Sequence, residues 1–140
     1  MKTIITKNED QSSQVAFELG QNARAGDVYA VIGTLGAGKT LMAKAFARGL
    51  GIEADITSPT FSILEEYAGS TPFYHFDMYR ITSPGEIEMM GFEDYFYGNG
   101  VSWIEWADKC GSLLPENSII VRIECINADE RRITIEYPAH

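Results

Sequence analysis

The stretch GTLGAGKT, Gly33 to Thr40, constrains this chain more than any other, because it stands between the apolar run VYAVI and the amphipathic run LMAKAFARGL. Its spacing, G-x-x-x-x-G-K-[ST], is that of a phosphate cradle, and the chemistry follows from geometry. Glycines at Gly33, Gly36 and Gly38 let the backbone turn successive N–H groups inward, where a Cβ would obstruct them. A helix starting near Lys39 aims the positive end of its dipole at the same point. Lys39 adds a mobile cation for β- and γ-phosphates, and the Thr40 hydroxyl is of the right type to ligate Mg²⁺. The motif requires a strand before the loop and a helix after it, and the flanking patterns supply both.

At 140 residues the chain reads as a single domain, 1–140, large enough to bury one core. A formal net charge of −9 disfavours a broad electrostatic grip on bare nucleic acid, so any RNA is expected to be held by a partner. The N-terminal MKTIITKNEDQ has no apolar signal-like segment, and no stretch approaches the roughly 18 apolar residues of a membrane span. A soluble, cytoplasmic protein with no membrane partner is expected. Cys110 and Cys125 lack a C-x-x-C neighbour and read as two buried free thiols.

Along the chain, KTIIT reads as a short strand, with Ser12 or Ser13 capping a helix that runs to about Ala25. DVYAVI is a buried strand; after the glycine loop a helix runs to about Leu50 and stops at Gly51. FSILEEY and PFYHFDMY read as strands joined by AGSTP, a hairpin. Ser83-Pro84 opens a short helix through Met90, and an aromatic-rich helical turn spans Phe92 to Tyr97, forming either core or a partner-facing patch. VSWIEW is the next strand, and SIIVRIECI with RRITIEY forms a C-terminal hairpin across NADE. Helices alternating with buried strands, flanked by hairpins, predict an α/β fold: a P-loop NTPase-like mixed sheet with a parallel core, helices on its faces and flanking antiparallel strands.

Ligands in such sheets bind beyond the carboxyl ends of the strands. Two acids stand there by pattern: Asp77 ends FYHF and Glu105 ends VSWI. Mg²⁺ wants oxygen ligands and keeps several waters, and spacing alone leaves open which acid would touch the metal and which would orient water. TSPTFSILEEY passes from loop to strand, and Thr60 within it is placed to sense a γ-phosphate. His75, on the strand before Asp77, reads as structural. Arg80, three residues after Asp77, is expected to face the opposite sheet surface if strand alternation persists. A GTPase would need N-K-x-D and D-x-x-G; neither is present, since Asp77 opens DMYR and ADKC lacks the asparagine.

Taken together, GTLGAGKT, TSPTFSILEEY, HFDMYRI and WIEW, in this order and at these separations, closely resemble the bacterial TsaE family, also called YjeE. The resemblance runs from the helix before the glycine loop to the C-terminal hairpin. It implies an ATP- and Mg²⁺-dependent ATPase assisting synthesis of threonylcarbamoyladenosine beside the anticodon of tRNAs that read codons beginning with A. The family works with TsaD, which transfers the threonylcarbamoyl group, and TsaB, which pairs with TsaD; tRNA is met through that complex. Carried over residue by residue, the resemblance implies that Gly33, Thr34, Leu35, Gly36, Ala37, Gly38, Lys39, Thr40 and Leu41 hold ATP. Thr40 and Glu105 would complete the Mg²⁺ site, Asp77 would position water or the metal's shell, and Thr60 would act as the switch. Trp106 would lie near the nucleotide, and Ser13 with Arg131, or Arg132 in its stead, near the adenine. This sequence departs from the family in having Thr34 where an acid is frequent and Leu41 where a second hydroxyl is frequent. A nucleotide-gated binding module, in which hydrolysis is incidental, would need the same residues.

Overall fold

A computed structural model describes residues 1–34, 38–56 and 63–138. The elements run β1 (Lys2–Thr6), α1 (Glu9–Asn22), β2 (Val28–Gly33), α2 (Lys39–Leu50), β3 (Leu64–Tyr67), β4 (Phe73–Asp77), α3 (Pro84–Met90), α4 (Glu93–Phe96), β5 (Val101–Glu105), 3₁₀ turns over Ala107–Leu113, β6 (Ile119–Cys125) and β7 (Arg131–Glu136). The seven strands form one sheet in the order β1-β7-β6-β2-β5-β4-β3. Pairing is parallel for β6–β2, β2–β5 and β5–β4, and antiparallel for β3–β4, β6–β7 and β1–β7. This is the predicted α/β sheet with a parallel core.

Two relationships go beyond the sequence reading. The hairpin strand β6 is not flanking: it inserts beside β2 as a member of the parallel core. Strand β1 closes on β7, so the two chain ends share an edge. The first helix also starts earlier than Ser12 or Ser13. Asn8 is its cap, with Oδ1 accepting from the Gln11 N–H at 2.9 Å while Gln11 Oε1 accepts from the Lys7 N–H at 2.7 Å. This resembles a capping box, with the Gln11 side chain reaching the N–H one residue before the cap. Ser12 instead turns inward to hydrogen-bond Thr6 Oγ1 at 2.7 Å, and the helix ends at Asn22 rather than Ala25.

Strand alternation sorts the core onto two faces. Tyr29, Val31, Phe73, Val101, Trp103, Val121 and Ile133 face α1 and α2. Val28, Ala30, Phe76 and Ile104 face α3, α4 and the 3₁₀ turns. On the first face the two helices approach until backbones nearly touch: a Cβ built on Gly20 would lie 2.1 Å from the Phe46 carbonyl oxygen, and one on Gly49 would lie 2.1 Å from that of Phe17. On the second face Phe92, Tyr95 and Phe96 pack edge-on against Phe76 at centroid distances of 5.3, 6.0 and 5.3 Å. Phe96 is therefore core, Phe92 and Tyr95 pack half-buried against it, and Tyr97 is exposed. Cys110 is buried, but Cys125 is exposed, correcting the expectation of two buried thiols. Cys125 shares the parity of the buried Val121 and Ile123, so alternation alone would turn it inward; it is instead the last residue of β6, at the exposed end of the strand.

Candidate phosphate-binding site

The glycine loop leaves β2 at its carboxyl end and enters α2 through Gly38, whose φ of 95° is a left-handed conformation that a side chain would strain. Leu35, Gly36 and Ala37 lie outside the described residues, as does the expected switch residue Thr60. Thr34 is exposed and Leu41 half-buried. Lys39 is buried, and its ammonium donates to the carbonyls of Gly33 at 2.8 Å and Thr34 at 2.7 Å. It also lies 4.3 Å from the centre of the Trp106 ring. Burial pulls the Lys39 pKa below its ordinary value; the nearby Glu105, Asp77 and Asp108 carboxylates act in the opposite sense. The ammonium is thus held among carbonyls, an aromatic face and acids at the mouth of the loop.

Register decides where the two acids fall. Asp77 and Glu105 are directly paired across β4 and β5, and alternation puts both on the α2 face, with His75 and Trp103 one step behind. Glu105 is only 3 % exposed. Its Oε1 accepts from Thr40 Oγ1 at 3.3 Å, and its Oε2 lies 2.5 Å from His75 Nε2. Asp77 is half-buried, with Oδ1 accepting from the Tyr79 backbone N–H at 3.0 Å. The fold therefore brings Lys39, Thr40, Asp77 and Glu105 together. Two adjacent oxygen donors, the Thr40 hydroxyl and the Glu105 carboxylate, suit a hard cation that takes its remaining ligands from phosphate and water. Among the described residues no three His, Cys, Asp or Glu side chains cluster as a metal site of their own.

Trp106 follows Glu105 in a left-handed conformation, φ 58° and ψ 40°, a region costly for a non-glycine residue. The turn swings its ring over Lys39 and against Tyr79, 5.0 Å away. Ser13 sits within the second turn of α1, half-buried. Arg131 bends over the β6–β7 turn, donating to the carbonyls of Asn127, Ala128 and Glu130. Arg132 reaches Glu124 at 3.4 Å. The hairpin turn lies at the loop's end of the sheet, since Gly33 pairs with Ile123 and Thr6 with Arg131. Arg80 does not continue the strand: β4 ends at Asp77, and Arg80 is exposed in the turn that follows, so the expected alternation stops before reaching it. His75, expected to be structural, is fully buried and meets Glu105, a contact that the sequence reading did not anticipate. Its position two before Asp77, on the same face of the same strand, was the available signal.

The strand–loop–helix crossing, with acids at the ends of adjacent parallel strands, defines a P-loop NTPase-like α/β protein. Within that class the match is specific. The family model for the threonylcarbamoyl adenosine biosynthesis protein TsaE matches residues 6–133, and the chain belongs to this family. The tRNA threonylcarbamoyladenosine biosynthesis protein TsaE of Bacillus subtilis is 42% identical over 130 residues, covering 92% of this chain and 81% of that one. The protein of the same description from Treponema pallidum is 34% identical over 131 residues, covering 94% and 97%. The crystal structure of Bacillus subtilis YdiB superposes with a TM-score of 0.82 at 36% identity, covering 99% of this chain and 86% of that chain. Among the described residues no helix is long and apolar enough to cross a membrane.

Proposed function

We propose that this chain is the ATP-binding, ATP-hydrolysing component of tRNA threonylcarbamoyladenosine synthesis, acting in the cytoplasm with TsaD and TsaB. The observation that carries the reading is the contact of Thr40 with Glu105, which joins the first turn of α2 to the end of β5 at the mouth of the glycine loop. In this reading Lys39 leaves the Gly33 and Thr34 carbonyls and gives its charge to the phosphates, and the N-terminal end of α2 faces the same anion. Thr40 and Glu105 hold Mg²⁺, which when bound neutralises charge on the β- and γ-phosphate oxygens. Asp77, less buried than Glu105, orients a water from the neighbouring strand end. Thr60 reports the state of the γ-phosphate, and Trp106 borders the nucleotide. Ser13 of α1 and Arg131 of β7 serve the adenine. The net charge of −9 is consistent with tRNA being held by the partners rather than by this chain.

The described site has an ammonium and two carboxylates but its nearest arginine in sequence, Arg80, stands on an exposed turn. An arginine supplied by a partner is worth roughly 10³–10⁵ in rate at such sites. Hydrolysis by the isolated chain is therefore expected to be slow and to rise on addition of TsaD and TsaB. Steady-state phosphate release at saturating ATP, with and without the partners, tests this. An unchanged rate despite demonstrated complex formation would refute partner activation. Modification that proceeds with a non-hydrolysable ATP analogue would favour the nucleotide-gated binding module instead.

A further inference from the structure

His75 is fully buried on β4 beneath the phosphate site, stacked 6.2 Å from Phe73, with its ring Nε2 2.5 Å from Glu105 Oε2. A carboxylate removed from water is costly unless its lone pairs are met. Glu105 meets this with one partner per oxygen: His75 on Oε2 and Thr40 on Oε1. An ionised carboxylate only accepts, so the hydrogen lies on Nε2 and the ring donates. Nδ1 has no hydrogen-bond partner among the described residues. The one hydrogen bond of the ring among the described residues thus goes to the acid.

We infer that His75 is a positioning residue that locks the rotation of the Glu105 carboxylate, committing Oε2 to the ring so that Oε1 stays beside the Thr40 hydroxyl as half of a preformed divalent-cation site. The inference rests on the Mg²⁺ site proposed above. Without the ring, the carboxylate can turn about its terminal torsion, which is broad and soft. The pair of oxygens then has to be ordered when the cation arrives. Partners that orient a metal ligand in this way are typically worth about 10–100-fold in metal affinity.

The test is direct Mn²⁺ binding, read by electron paramagnetic resonance, to the full-length chain saturated with ADP, together with ADP affinity measured in EDTA. His75→Met removes the donor at similar volume, and His75→Gln keeps an amide N–H near the place of Nε2. The expected result is Mn²⁺ affinity at least tenfold weaker in H75M, largely restored in H75Q, with metal-free ADP affinity unchanged in both. Wild-type Mn²⁺ affinity in a folded H75M overturns the inference while leaving the metal site standing. Failure of the unsubstituted chain to bind Mn²⁺ with ADP overturns both. A second measurement needs no variant: His75 and His140 are the chain's two histidines, so ¹⁵N spectra of the imidazoles are simple to assign. The Nε2 site of His75 is expected to hold its proton with slow exchange, and a ring protonated at Nδ1 alone, or averaging between tautomers, refutes the assignment.

Discussion

Within α2, the first turn carries Lys39 and Thr40, whose polar ends meet loop carbonyls and the Glu105 carboxylate. Farther along the same helix, Phe46 packs against the rings of Tyr29, Trp103 and Phe73 at centroid distances of 4.7, 4.9 and 5.9 Å. Gly49 lets that half lie against the backbone of α1. The difference shows how a costly site is kept in place. Burying an ammonium and a carboxylate contributes little net stability, so the apolar half must fix the helix tightly enough that its polar end is presented in one geometry. The aromatic cluster stabilises the protein, and the first turn spends that order on charge placement.

The largest effect is expected in the apolar half of the helix. Phe46→Ala should destabilise the fold by about 3–5 kcal/mol, the usual cost of emptying an aromatic site in a core. Urea denaturation measures it, and a loss below about 1 kcal/mol would mean that the helix is anchored elsewhere. Lys39→Ala should do the converse. Loss of charge-assisted contacts worth about 1.5–3 kcal/mol predicts ATP binding weaker by roughly 10–100-fold, with unfolding free energy changed by less than about 1 kcal/mol. Isothermal titration and urea melts on the same sample separate the two, and a large stability loss would show that the first turn also holds the fold.

The two acids sharpen the contrast further. Glu105→Ala is expected to raise the Mg²⁺ concentration needed for turnover by roughly tenfold or more, while Asp77→Ala lowers turnover even at saturating Mg²⁺. If Glu105→Ala leaves Mg²⁺-dependent turnover unchanged and Asp77→Ala abolishes it, the roles are reversed.

The smallest effect concerns the opposite sheet face, where burial pushes the Cys110 thiol up to about 12. A pKa raised by folding means that the folded state holds its proton longer. The stability this group contributes is therefore complete below its ordinary value of 9.0 and is lost as pH rises from there toward 12. Melts between pH 8 and roughly 11 should show the decline lessened in Cys110→Ala. Thiol labelling of the native chain should modify exposed Cys125 first and reach Cys110 only with unfolding.

The local elements and the residue types of the site were legible in the order of the amino acids. GTLGAGKT called for a strand before it and a helix after it, and β2 and α2 stand there. Period-two runs named the strands, and Gly51 stopped α2 where expected, with φ 95° and its N–H returned to the Ala47 and Arg48 carbonyls. Such signals lie within a few residues of one another, so they are legible without the fold. The tertiary structure alone decided what depends on pairing between distant segments. Strand β6 could sit beside β2 or outside it with the same alternation, and β1 could find any free edge. Asp77 and Glu105 became neighbours only through the parallel register of β4 with β5. His75 gained its partner by that same register, since a one-residue slip would turn its ring to the other face of the sheet.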